Sequence, residues 1–264
     1  MKGIELIMSQ NAKNLNLLIF FIYCNNMSLL EQWKKAFAEL LKSPILILKN
    51  GLISRLEYKN EKNELHRNPE IGYAYICYYE NGNTCYEQYW VNNVSHKLDG
   101  PAYIWYYENG KIRNEEYYVN GKMHRLEGPA IICYYENGNI RYEQYCVNGK
   151  IHRLDGPAIV SYYENGNICY KKYYINDKMY RLDGPAYIIY YENGNISYEE
   201  YWVNGKIHRL EYPAVIRHYE NGNICYEGYW VNGKKHRLEG SARIVYYENG
   251  EISHKEYWVI GEQK

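Results

Sequence analysis

One spacing constrains this chain more than any other property. The segment Arg-Leu-Glu-Gly-Pro-Ala at 125–130 returns every 28 residues, as Arg153–Ala158 and Arg181–Ala186 and in variant form at Lys97–Ala102, Arg209–Ala214 and Arg237–Ala242. The turn Glu-Asn-Gly keeps the same step, its Asn standing at 81, 109, 137, 165, 193, 221 and 249. Seven units therefore begin at Gly72, Gly100, Gly128, Gly156, Gly184, Tyr212 and Gly240. A fixed period overrides the one or two globular domains that 264 residues would otherwise suggest, because each unit must bury its surface against its neighbours.

Within the unit Gly184–Glu211, the β-forming run Ala186–Tyr191 ends at Asn193-Gly194. Asn-Gly supplies the two positive φ angles of a type I′ hairpin turn. A second strand is expected over Ile196–Val203, then another Asn-Gly, then a short extended piece over Lys206–Leu210. Asn92-Asn93 and Asn176-Asp177 replace Asn-Gly with residues that still tolerate the left-handed region. The unit reads as a β-hairpin or meander with no helical period. Tandem copies predict an all-β, elongated twisted sheet or solenoid, about 65–100 Å long at the usual strand spacing.

Stacking puts equivalent residues in columns. An unbroken Tyr column runs from Tyr89 to Tyr257, with a β-branched column from Val91 to Val259 two residues on and so on the same face. The opposite face is expected to carry the Ile column from Ile112 to Ile252 beside Trp90, Tyr118, Tyr174, Trp202, Trp230 and Trp258. These six rings are the candidate binding residues, because Tyr and Trp give large amphipathic contact area. Leu occurs once per unit, at 98, 126, 154, 182, 210 and 238, and reads as the peg between units. On that reading, Leu154→Ala costs about 2–5 kcal/mol.

Motifs for chemistry are sparse. The His column (His96, His124, His152, His208, His236) is interrupted by Tyr180, and residues one repeat apart cannot share an ion bound at about 2 Å. Structural histidines are the expectation, with no metal and no cofactor. Arg125 with Glu127 and Arg153 with Asp155 are expected to form charge ladders within and between units. The seven Cys are odd in number and include no C-x-x-C pair, which points to free thiols in a reducing, cytoplasmic compartment. Neither a P-loop, a G-x-S-x-G elbow nor an HExxH motif occurs, and near-identical units leave few unique positions for catalysis.

With 31 basic and 31 acidic residues, the chain lacks the basic excess that a nucleic acid or an anionic membrane attracts. Residues 43–71 read as a degenerate repeat, since Asn50-Gly51-Leu52-Ile53, Glu57-Tyr58 and His66-Arg67 follow the template with insertions. Ser28-Leu29-Leu30-Glu31 is a capping box, and Leu30, Trp33, Phe37 and Leu41 line one stripe, so residues 28–42 are expected to form an amphipathic capping helix. Residues 1–27 hold the apolar run Leu17–Cys24, signal-like but without a cleavage motif, and Met8 and Met27 offer alternative starts.

The alternation of Tyr-Tyr-Glu-Asn-Gly-Asn and Tyr-Trp-Val-Asn-Gly-Lys, closed by His-Arg-Leu-Asp-Gly-Pro-Ala, resembles the MORN repeat variants over residues 72–264. The chain departs from that pattern in its long unit and its Gly-Pro-Ala link. The resemblance implies a non-enzymatic β-scaffold for binding or assembly and carries over no catalytic residue. It is also similar to Tyr/Asn-rich arrays of large DNA viruses and of antitoxin-like bacterial proteins, which implies an antitoxin-like neutralising role as one alternative. The residues themselves favour interaction with another protein, and a ribbon of repeats is open to end-to-end self-association. Binding of carbohydrate or lipid headgroups on rows of exposed rings is the further alternative.

Overall fold

The computed structural model describes residues 44–264. The expected apolar segment 1–27 and helix 28–42 lie outside the described residues. Among those described there is no helix, and the chain is an all-β tandem array. Sixteen strands form one antiparallel sheet in strict sequence order, from Ile45–Lys49 to Ile252–Glu256. At the usual strand spacing the sheet runs about 70 Å. Among the described residues every other sheet has only two strands.

Each unit contributes two strands to this sheet, such as Tyr187–Tyr190 and Ile196–Glu200. The expected strand 196–203 breaks at Tyr201, and Trp202–Val203 instead pairs with Lys206–Ile207 in a small separate ladder. The ladder's turn has Asn204 at φ 52° and Gly205 at φ 75°, the two left-handed residues of a type I′ turn. Asn92-Asn93 and Asn176-Asp177 hold the same conformation.

The other Asn-Gly behaves differently. At Asn193-Gly194 the left-handed residue is Gly194 alone, at φ 90°. Gly194 N–H donates to Tyr191 O at 2.9 Å and Tyr191 N–H to Asn195 O at 2.8 Å. This is a type I turn closed by a left-handed Gly, one residue longer than a two-residue hairpin. Asn193 is occupied elsewhere, its Oδ1 accepting the Asn195 N–H at 2.9 Å. A bulge follows, because Ile189 pairs with Tyr198 and Tyr190 with Ile196, leaving Ser197 unopposed. The extra residue turns the Ile column to the opposite face from the Trp column, contrary to the strict alternation expected from sequence.

Burial concentrates on a residue that the sequence reading passed over. Ala74, Ala102, Ala130, Ala158, Ala186, Ala214 and Ala242 are all 0% exposed. Each sits where one unit's sheet meets the next: Tyr145 N–H donates to Ala158 O at 2.8 Å, for example, and Ala186 N–H to Glu200 O. The leucines do the reverse. Leu98, Leu126, Leu154, Leu182, Leu210 and Leu238 are 73–80% exposed, so they stand on loops in solvent and are not pegs between units. The small side chain fills the junction, and the large one is left outside it.

The first described hairpin, Ile45–Lys49 with Leu52–Glu57, extends the same sheet. Tyr58 N–H donates to Ala74 O and His66 N–H to Tyr58 O, as Tyr89 and His96 do in the next unit.

Candidate functional site

What joins the units decides which surface remains for a partner. The histidines are inter-unit acceptors: Nδ1 of His96, His124, His152 and His208 takes the backbone N–H of Asn120, Asn148, Asn176 and Asn232 at 3.0–3.3 Å. Tyr79, Tyr107, Tyr135, Tyr163, Tyr191 and Tyr219 donate their hydroxyls to carbonyls of the following unit at 2.7–2.8 Å. Asn139, Asn167, Asn195 and Asn223 reach the next unit's Glu carbonyl at 2.9–3.0 Å.

The Arg column is also structural, but not as a charge ladder between units. Arg125, Arg153, Arg181, Arg209 and Arg237 each lay the guanidinium 3.8–4.1 Å from the centre of the Tyr ring eight residues earlier. Each also donates to the carbonyl four residues on, as Arg153 does to Pro157 O at 3.3 Å. A Cβ on Gly184 would come within 3.0 Å of the Arg181 guanidinium, yet Tyr212 takes this position in the sixth unit and Arg209 keeps its stack on Tyr201. Arg153 and Arg181 do pair with Asp155 and Asp183 at 2.9 Å. That pairing holds both carboxyls below the usual carboxylate range, hydrogen bond first and charge second. The Arg–Tyr stack escaped the sequence reading, although a cation eight residues after each column Tyr from Tyr89 to Tyr229 was its signal.

The sheet's two faces now separate. One carries Ile188, Tyr190, Ile196 and Glu199, and copies of each barely change along the array. Here Tyr106, Tyr134 and Tyr162 donate to Glu87, Glu115 and Glu143 at 2.7–2.8 Å. Burial, and then the carboxylate each hydroxyl meets, push these tyrosines up. Where the column acid becomes Lys171, its ammonium moves over the Tyr190 ring at 5.5 Å.

The other face carries the positions of Tyr187, Ile189, Tyr198 and Glu200. Position 187 becomes Tyr75, Tyr103, Ile131, Ile159, Val215 and Arg243 in the other units; position 189 becomes Cys77, Trp105, Cys133, Ser161, Arg217 and Val245. The bulged residues turn to this side as well: Cys85 lies beside Cys77, and Arg141 beside the Cys133 thiol. Burial pushes both Cys77 and Cys133 up, so these are shielded thiols. Variation between units therefore gathers on one face of the sheet.

The six rings singled out from sequence border this face. Trp90, Tyr118, Tyr174, Trp202, Trp230 and Trp258 are all half-buried. Trp90, Trp202 and Trp258 donate their indole N–H to Gln88, Glu200 and Glu256 at 2.8–3.0 Å. Cys146 takes the same position in the third unit and is buried. The rings pack with those of the strands: Tyr103 contacts Trp90, Trp105 and Tyr118 at 5.1–5.7 Å between centroids. The residues sequence reasoning missed are those on the strands themselves, such as Trp105, Tyr142 and Arg217. For Trp105 and Arg217 the signal was column variability, whereas Tyr142 stands in a column that is Tyr in five of seven units.

Fold and face together define a tandem-repeat β-scaffold with one constant and one variable surface. The family model of the MORN repeat variant matches residues 102–120, 131–152, 159–176 and 186–207. Residues 102–207 carry four MORN repeat variants in tandem, and each match covers most of one hairpin and ladder of the array. No curated protein matches the chain.

Proposed function

We propose that the protein is a non-enzymatic scaffold that holds another protein against the variable face of its sheet. The carrying observation is the separation of columns: side chains that lock units together repeat, while those on the other face change from unit to unit. A rigid array with one free surface can present a distinct chemistry at each step. The Trp and Tyr border adds anchors of the kind that dominate protein interfaces. Lys172 lies over the rings of Tyr170 and Tyr187, and Tyr75 stacks flat on Tyr86 at 5.3 Å, so several ring faces that a sugar would need are already occupied.

Cross-linking from a photoreactive residue at position 142, in cells that make the protein, tests this reading. A specific protein should be captured, and capture should fall when Trp105 and Trp202 are changed to Ser but persist when Leu126 and Leu154 are. Capture that ignores the face, or recovers no specific protein, refutes it.

A further inference from the structure

The variable face is not uniform along its length, and its C-terminal end departs most from the rest. At the column held by Gln88, Glu116, Gln144, Lys172, Glu200 and Glu256, the sixth unit has Gly228. In the three other units that have a Trp beside it, at 90, 202 and 258, this side chain receives the indole N–H. Among the described residues Trp230 Nε1 is buried without a hydrogen-bond partner. The loss of an acidic side chain coincides with a gain of cations. Arg217 is exposed, with its guanidinium 5.5 Å from the Tyr198 ring centre and 5.3 Å from that of Tyr226. Arg243 lies 5.9 Å from the same Tyr226 ring.

The nearby acids are already engaged. Glu256 is shared by Arg243, Lys235 at 3.9 Å and His254 at 3.2 Å, and also accepts the Trp258 indole. Glu200 is held by the Tyr198 hydroxyl and the Trp202 indole. Among the described residues Arg217 has no ion pair with an acid. Its guanidinium lies within reach of two rings on an exposed side chain, open to a further partner.

We propose that this end of the face, formed by Arg217, Tyr226 and Arg243, binds an acidic segment of a protein partner. A partner carboxylate there does for Arg217 what Glu256 does for Arg243, accepting a guanidinium. The segment is short. Glu116 and Glu200 interrupt the cations Arg141, Lys172 and Arg217 along the same face, which favours a local run of carboxylates over a continuous nucleic-acid backbone. This inference rests on the scaffold reading and names the chemistry of its partner at one end.

Binding of a labelled polyglutamate peptide to the full chain tests it, beside a polyglutamine peptide and heparin. Polyglutamate should bind, more weakly as salt rises, and polyglutamine should not. Arg217→Gln, alone or with Arg243→Gln, should weaken binding by about tenfold or more. Gly228→Glu should do the same by supplying the carboxylate from within. The backbone there is not left-handed, and the added side chain must displace only the Tyr226 hydroxyl and the indole edge. Gly228→Ala makes the same displacement without a carboxylate, so Gly228→Glu should weaken binding well beyond it, while Arg141→Gln, three units away on the same face, should keep the affinity.

Equal affinity in Arg217→Gln, or heparin binding without polyglutamate binding, overturns the proposal. If the photoreactive chain still captures its partner through Trp105 and Trp202 while ignoring polyglutamate, the acidic site fails and the scaffold reading stands.

Discussion

The two faces of the long sheet share one backbone, yet repetition has treated them differently. On the face of Ile188 and Tyr190, side chains bridge elements: Tyr162 answers Glu143, and Arg153 lies against Tyr145. A change there must be matched by a neighbour, as Lys171 is matched by moving over Tyr190. On the face of Tyr187 and Ile189, side chains mostly lean on rings beside them, and the backbone ladder holds without their help. Tyr, Ile, Val and Arg can then follow one another at a single position. Constancy marks load shared between units, and variability marks the surface released from it.

The harshest way to break this contrast is alkali. Burial raises the tyrosine hydroxyls of the constant face above their ordinary value near 10, Tyr246 up to about 12. A raised folded value means that the stabilisation is complete below pH 10 and is lost as pH rises through the folded values, because the unfolded chain ionises first. Absorbance of tyrosinate should therefore rise together with loss of the β circular-dichroism signal. Ionisation near pH 10 with the sheet intact would show that these hydroxyls bear no load.

Ala158→Leu comes next. A Cβ with no solvent exposure and strand backbone on both sides leaves no room, and overpacking should cost about 3 kcal/mol. Denaturant midpoints would show it, and an unchanged midpoint would remove the junction from the account. Tyr135→Phe deletes one bond to Tyr162 O in the following unit and should cost about 1 kcal/mol. Smallest is Leu154→Ser. At 78% exposure it should move stability by no more than about 0.5 kcal/mol. A loss of 2 kcal/mol or more would restore the leucines as pegs and blur the division between locked and free positions.

Much of the architecture was legible because period and turn chemistry are local. The 28-residue step, the strands and the type I′ turn at Asn204-Gly205 follow from residues close together in sequence. The same dipeptide at 193–194 misled, because a type I turn with one left-handed Gly uses the same letters and differs by one residue of loop. Leu154 misled for a different reason. Apolar character and strict recurrence suggest burial, but burial depends on where the backbones meet, and they meet at Ala158. An alanine announces nothing by itself, since its smallness matters only once two strands are known to close over it. The candidate rings at 90, 118, 174, 202, 230 and 258 were found by size. The strand positions beside them became visible when the bulge at Ser197 showed which columns point the same way.

The alanine junction also bears on how such a chain can change length. Every unit from Gly72 on presents the same buried methyl, and its Ala carbonyl takes the same Tyr N–H from the unit before, so the array has no privileged member between its ends. Deleting or copying 28 residues at that boundary rejoins like to like, whereas any other number throws Tyr, His and Arg out of line with their partners. The reach of the protein is therefore quantised: it lengthens or shortens by one step of about 10 Å, two strand spacings, and each new step arrives with a blank face to diversify.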